Sequence, residues 1–172
     1  LNQPDFRSYE RAYQMMTQVA GRAGRSSGTE GHNARPGRVI LQVHDAKQPT
    51  VMQVVKGDYE GMFHTQMEER RLFVYPPLCR LVYVYIKHKD ESVLEHLAEE
   101  MANLLRKVFG HRVLGPDMPP VARVQTMYIR KVCLKLELAA NIAEARKRLH
   151  EIQRYMTSKP EYKSALMYYD VD

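Results

Sequence analysis

The chain has no tryptophan, only four phenylalanines and only two cysteines in 172 residues, and these shortages narrow what it can be. Cys79 and Cys133 lie far apart, with neither a second cysteine nor a histidine at ligand spacing. That argues against a disulfide framework and against a zinc site, and makes a reducing cytoplasm the expected home. The longest apolar run, Leu81 to Ile86, is far short of the roughly 20 residues that span a bilayer, and no basic-then-apolar leader opens the chain, so no membrane contact is expected. Seven histidines, at 32, 44, 64, 88, 96, 111 and 150, are scattered without ligand spacing and read as surface positions. No nucleophile and base pair stands out. Asp170 and Asp172 occupy alternate positions of a final strand, a pattern that suits solvent-facing acids better than a metal site.

What is present is a 44% hydrophobic share, enough for a packed core, and 26 Lys and Arg against 20 Asp and Glu, a net charge of +6. The basic balance suits a polyanionic partner and also fits many plain soluble proteins. Eleven tyrosines against four phenylalanines are equally compatible with base stacking and with a half-wet core. The opening segment LNQPDFRSYERAYQ begins with Leu1 and has no start-of-protein character, so a piece of a longer protein is expected.

Apolar residues Tyr9, Ala12, Tyr13, Met16, Val19 and Ala20 recur at spacings of three and four and predict an amphipathic helix that stops at Gly21. The stretch SSGTEGHNARPG, Ser26 to Gly37, is rich in turn formers and reads as a loop, and RVILQV, Arg38 to Val43, reads as a buried strand. Pro49 opens a helical pattern to Arg71, one helix or two, broken by Gly57 and Gly61, and Tyr75-Pro76-Pro77 ends it as a rigid hinge.

Beyond that hinge the pattern is a complete small domain. Leu81 to Ile86 predicts a strand, and Val93, Leu94, Leu97, Met101, Leu104, Leu105 and Val108 mark one helix face. Val113 and Leu114 suggest a short extended piece. Val121 to Tyr128 and Val132 to Leu138 predict a hairpin, with Val132, Leu134, Leu136 and Leu138 inward and Cys133, Lys135 and Glu137 outward. Ile142, Ala145, Leu149, Ile152 and Met156 give a second helix, and Ala165 to Val171 a closing strand. The expected class is α+β, and the order βαββαβ suits a split-βαβ sandwich, a scaffold shared by nucleic-acid-binding modules and metabolic enzymes.

The chemistry-bearing motif is QVAGRAGR, Gln18 to Arg25, which places Arg22 and Arg25 three apart at a helix end, with Gly21 and Gly24 letting the backbone bend close to a ligand. A guanidinium is a fixed fork of donors that matches phosphate oxygens and keeps its charge, so the motif is phosphate-binding equipment. Read only as a five-residue pattern, GRAGR equally fits a basic helix end in a solvated loop.

The longer context, Glu10-Arg11, Gln14, QVAGRAGR, a glycine-bearing loop and VILQV, resembles the sixth motif of superfamily-two helicases, and more narrowly the bacterial replication-restart helicases of the primosomal protein N′ family. RNA helicases of the DEAD-box type usually open this motif with histidine, and branch-migration helicases read more like QLRGRVGR, so neither matches as well. The resemblance continues in order through DYEGMFHTQMEERR (Asp58 to Arg71), Tyr75-Pro76-Pro77, Val113 to Pro116, Tyr128 to Lys135 and the terminal Asp170-Val171-Asp172. Departures are the Asp117-Met118-Pro119-Pro120 turn and a longer loop from Ser26 to Gly37.

The resemblance implies an ATP-dependent DNA helicase moving 3′ to 5′ at stalled forks, with Arg22 and Arg25 on the γ-phosphate and Gln18, Gly21 and Gly24 in ATP binding and coupling. It divides the chain into the end of the second RecA-like helicase lobe (1–48), a connecting helical segment (49–74) and a split-βαβ terminal domain (75–172). ATP and magnesium would be bound by the intact protein, and zinc by an upstream cysteine-rich module; none is expected on this fragment, which alone should be inactive. The implied partners are branched and single-stranded DNA, single-strand-binding protein and other primosome proteins. Arg123, Tyr128, Arg130, Lys131 and Lys135 on the expected hairpin form the candidate DNA surface, Tyr128 stacking on an unpaired base. The basic positions Arg146, Lys147, Arg148 and Arg154 read rather as a solvated helix face. The alternative is a non-enzymatic nucleic-acid- or protein-binding module.

Overall fold

The computed structural model describes residues 5–23 and 38–172, and these divide into two compact units, 1–73 and 74–172. Gly24, Arg25 and the loop Ser26 to Gly37 lie outside the described residues.

The first unit holds three helices, α1 (Ser8–Ala23), α2 (Pro49–Lys56) and α3 (Tyr59–Phe73). The Gln48 side chain caps α2 by accepting from the Val51 amide at 3.0 Å, and Pro49 takes the first turn, where no amide is needed. Gly57 adopts φ +66° and ends α2, and Asp58 then caps α3 by accepting from the Gly61 amide at 2.8 Å. The helical pattern from Pro49 is thus two helices. Tyr13, Val51 and Met62, one from each helix, are buried, and Arg70 pairs with Glu10 across α3 and α1. Of the expected apolar face of α1, only Tyr13 is buried, while Val19 is 54% exposed.

The strand expected at Arg38 to Val43 does not form: these residues have no regular structure, and Ile40 is 92% exposed. A strand needs a neighbour to satisfy its backbone donors and acceptors, and none pairs with this segment among the described residues. β-propensity alone is too weak to hold it.

The second unit is a mixed helix and antiparallel-sheet domain. Its strands are β1 (Cys79–His88), β2 (Val113–Asp117), β3 (Arg123–Val124), β4 (Met127–Glu137) and β5 (Leu166–Val171); its helices are α4 (Glu91–Phe109) and α5 (Ile142–Ser158). The strand order is β2-β4-β1-β5, with β3 also beside β4 and every pairing antiparallel. Asp90 caps α4 through the Val93 amide and Asn141 caps α5 through the Glu144 amide, each at 3.1 Å.

Both helices contribute to one core on one face of the sheet. Val84, Ile86, Val132 and Leu134 from the strands meet Leu94, Leu97, Met101 and Leu105 of α4 and Met156 of α5, all fully buried. Each such side chain contributes about 1.5–3 kcal/mol by leaving water. Polar ties fix the layers: Glu100 of α4 accepts from the Lys159 ammonium and from the Tyr162 hydroxyl at 3.0 Å, and the Lys159 bond holds its carboxyl below the usual range. The Tyr169 hydroxyl donates to Gln153 Oε1 at 2.9 Å and to the Leu149 carbonyl at 3.2 Å, and burial pushes its pKa up to about 12.

The hairpin differs from expectation. Residues 127–137 are one continuous strand, and the turn lies earlier, at Gln125 and Thr126, with Gln125 at φ 54°. A two-residue hairpin loop demands a positive φ, usually supplied by glycine or asparagine, so this sequence carried no turn signal. Leu138, expected inward, is 54% exposed because the strand ends at Glu137.

Candidate nucleic-acid interface

In an antiparallel pair, directly opposed residues point to the same side, so the register assigns every side chain to a face. Val82, Val84 and Ile86 of β1 face the helices. Cys79, Leu81, Tyr83, Tyr85 and Lys87 therefore face the other way, with Glu137, Lys135, Cys133, Lys131 and Ile129 opposite them on β4. On the far side of β1, Tyr168 lies opposite Tyr85 and Asp170 opposite Tyr83.

This face, turned away from α4 and α5, carries an aromatic row dressed with lysines. Tyr85 and Tyr168 stack with ring centroids 4.9 Å apart and planes 9° from parallel, and Tyr83 lies 6.3 Å from Tyr85. The Lys87 ammonium sits 4.8 Å from the Tyr168 ring centre, and that of Lys131 5.0 Å from Tyr83. Lys135 lies 4.2 Å from the ring of Tyr75. Each is a cation–π contact, in which the ring's negative face attracts the charge. Tyr168 is 42% exposed and Tyr83, Tyr85, Lys87 and Lys131 are half-buried, while Leu81, Ile129 and Cys133 are buried on the same face. Burial raises the pKa of both thiols, Cys79 and Cys133, keeping them neutral.

The five expected DNA-contact residues do not come together. Lys131 and Lys135 lie on the tyrosine-bearing face. Arg123 and Tyr128 form a pair at the hairpin, the guanidinium 4.7 Å from the ring centre, but Tyr128 opposes His88 and packs partly against the helix-side core. Arg130 does not join either group. It opposes Ile86, is 5% exposed and lies beneath α4, where Nε donates to Glu95 at 2.7 Å and Nη2 to Glu91 at 3.0 Å. The bond to Glu95 raises its pKa still further. Its third donor satisfies the Ile129 carbonyl at 2.9 Å, so its fork is committed to the fold.

Arg146, Lys147, Arg148 and Arg154 are exposed on α5, and Arg148 pairs with Glu144 and Glu151 on its own helix. Gln18, Gly21 and Arg22 are exposed at the end of α1, and a Cβ placed at Gly21 would meet nothing within 4 Å, leaving room for a ligand to approach. Among the described residues no group of three His, Cys, Asp or Glu is placed to hold a metal, and no helix is long and apolar enough to cross a membrane.

Tyr83, Tyr85, Lys87 and Tyr168 are not among the residues singled out from the sequence. The signal was the alternation in LVYVYIK, where Tyr83, Tyr85 and Lys87 interrupt an apolar series at every second position. Taken as a buried run, LVYVYI hides its second face.

A mixed α and antiparallel-β domain with a lysine-bearing, tyrosine-lined sheet face defines a class, a small α+β module. Its family follows from comparison with known proteins: residues 71–172 match the family described as primosomal protein N C-terminal domain, and the chain belongs to that family. It is similar to the replication restart protein PriA of Bacillus subtilis (strain 168), 31% identical over 153 residues, 88% of this chain and 18% of that protein. It is also similar to PriA of Chlamydia trachomatis, 33% identical over 150 residues, 86% of this chain and 19% of that protein. With PriA of Synechocystis it shares 30% identity over 137 residues, 78% of this chain and 16% of that protein. The chain thus matches a C-terminal portion of replication restart proteins and spans less than a fifth of their length in these three cases.

Proposed function

We propose that this chain is the C-terminal part of an ATP-dependent 3′-to-5′ DNA helicase of replication restart, and that its terminal domain grips branched DNA. In this reading residues 1–48 belong to the end of the second RecA-like lobe. The segment at 38–43 would become a strand only beside that lobe's other strands. Residues 49–74 connect, and 75–172 are a split-βαβ domain, a reading supported by β4 lying between β1 and β2.

The observation that carries the DNA role is that Lys87, Lys131 and Lys135 share the sheet face turned away from α4 and α5 in a domain of a replication-restart family. Lysine ammonium groups neutralise phosphates and release condensed counterions, so affinity depends on salt. The paired Arg123 and Tyr128 extend the basic edge at the hairpin. Single-strand-binding protein and other primosome proteins are the proposed protein partners, and the bacterial cytoplasm the proposed location.

ATP and magnesium, bound in the intact protein, supply the phosphoryl chemistry, and zinc belongs to its cysteine-rich module. The part played by this chain is to hold the Arg22 and Arg25 guanidinium groups towards the terminal phosphate, with Gly21 and Gly24 allowing close approach and Gln18 coupling the nucleotide to movement on DNA. The fragment alone does not hydrolyse ATP.

The DNA reading is tested by titrating a forked DNA with the 172-residue chain at several salt concentrations. With three lysines on phosphates, log K falls with log salt at a slope of about −2 to −3, and Lys131→Ala flattens the slope by about 1. Binding that is indifferent to salt and to Lys131 would favour the protein-docking alternative.

A further inference from the structure

We infer that the row Tyr83, Tyr85 and Tyr168 is a stacking platform for an unpaired DNA strand, with Lys87 and Lys131 taking the flanking phosphates. The inference rests on the DNA-binding reading above and narrows it, because lysines alone would hold duplex and single strand alike. A duplex hides its base faces inside the stack. Aromatic rings presented on a surface gain from stacking only where bases are unpaired, and they do so with little sequence preference, because every base has a π-face.

Three observations point to an unpaired strand. The rings lie on one sheet face by register: Tyr85 and Tyr168 are direct cross-strand partners, and Tyr83 is two residues along β1, so the row runs both along and across the strands. The Tyr85–Tyr168 stack is already formed at 4.9 Å, which fixes the ring planes in advance and lowers the ordering cost of adding a base at the Tyr168 end, where that ring is 42% exposed. The charge complements a strand's backbone. Lys87 and Lys131 sit on the faces of Tyr168 and Tyr83, where an arriving base displaces an ammonium that then turns to the adjoining phosphate. Acids share this face with the lysines. Glu137 is taken by Arg112, both of its oxygens 2.8 Å from Nε; Asp117 opposes Lys131, and Asp170 opposes Tyr83.

The platform also reassigns the stacking residue. Tyr128, expected from the sequence to stack, lies by register on the other face, opposite His88, and packs partly against the helix-side core, so its replacement should not discriminate between paired and unpaired DNA.

The test is fluorescence anisotropy of a labelled oligo-dT and of a duplex of equal length, with the full 172-residue chain and its Tyr85→Ala, Tyr168→Ala and Tyr168→Phe variants. Tyr168→Ala and Tyr85→Ala are expected to weaken oligo-dT binding about tenfold or more and to leave duplex binding unchanged, while Tyr168→Phe keeps both. Circular dichroism and melting identify a variant that fails to fold; Tyr168, the most exposed of the three rings, then carries the decision. Variants that fold and bind oligo-dT as tightly as the parent overturn the inference. Equal loss on oligo-dT and duplex does so too. If Lys131→Ala weakens both DNAs while the tyrosine variants weaken neither, the DNA-binding reading stands and the stacking platform fails. If no DNA binds, both fail.

Discussion

Replacing Arg22 by alanine in the full-length protein is expected to lower DNA-stimulated ATP hydrolysis by about three to five powers of ten while leaving DNA binding intact. The size follows from the chemistry of the proposed role. Charge builds on the phosphoryl oxygens as the terminal bond breaks, and a guanidinium aimed at them stabilises that state far more than the bound substrate. Arg22 is exposed in the last turn of α1, beside a glycine with open space around it. Among the described residues its structural contribution is that of a cation at a helix C-terminus, worth about 0.3–1 kcal/mol, too little to unfold the protein. Arg22→Lys keeps the charge but loses the planar fork, and is expected to recover little of the rate. Steady-state ATPase with and without DNA, beside a fork-binding titration, reads both quantities. Retained ATPase with lost DNA binding would make GRAGR a simple basic contact and support the binding-module alternative.

The second large effect falls on stability. Arg130→Ala is expected to destabilise the second unit by about 2–3 kcal/mol, because it removes a 5%-exposed guanidinium that satisfies Glu91, Glu95 and the Ile129 carbonyl together. Both glutamates are about half exposed, at 49% and 51%, so they rehydrate when the arginine is lost, which holds the cost below that of a fully buried pair. For a domain of this size the melting temperature drops by about 10 °C or more. Oligo-dT and fork binding, measured below the melt, stay at the parent level, since Arg130 points to the helix side. Lys131→Ala, one residue along, gives the opposite pattern: little change in melting and weaker DNA binding. A loss of affinity without a loss of stability in Arg130→Ala would place DNA on the wrong face.

That contrast marks what the sequence could and could not tell. Helix faces with many apolar positions were legible: Leu94, Leu97, Met101 and Leu105 fall on the buried side of α4 as their spacing requires. Family membership was legible too, carried by ordered motifs along most of the chain. Sidedness within the sheet was not. Arg130 and Lys131 look alike in sequence, and only a register fixed by the turn at Gln125 and Thr126 sends one under α4 and the other to the tyrosine face. That turn uses a glutamine at positive φ, so no Asn-Gly or Gly-Gly marker announces it, and the apolar pattern puts the break several residues too late. The strand expected at 38–43 failed for another reason: local propensity has no access to whether a partner strand exists. Tyr83 and Tyr85 were hidden by their own hydrophobicity, half core-like and half polar, inside what reads as one buried run.

Lysine acetylation footprinting of the 172-residue chain with and without a forked DNA tests most directly the proposal that DNA meets the sheet face turned away from α4 and α5. The account predicts that Lys87, Lys131 and Lys135 become protected when DNA binds, while Lys147 on α5 and Lys163 after it keep their reactivity. Protection of Lys147 and Lys163 with the three sheet lysines unchanged would contradict it.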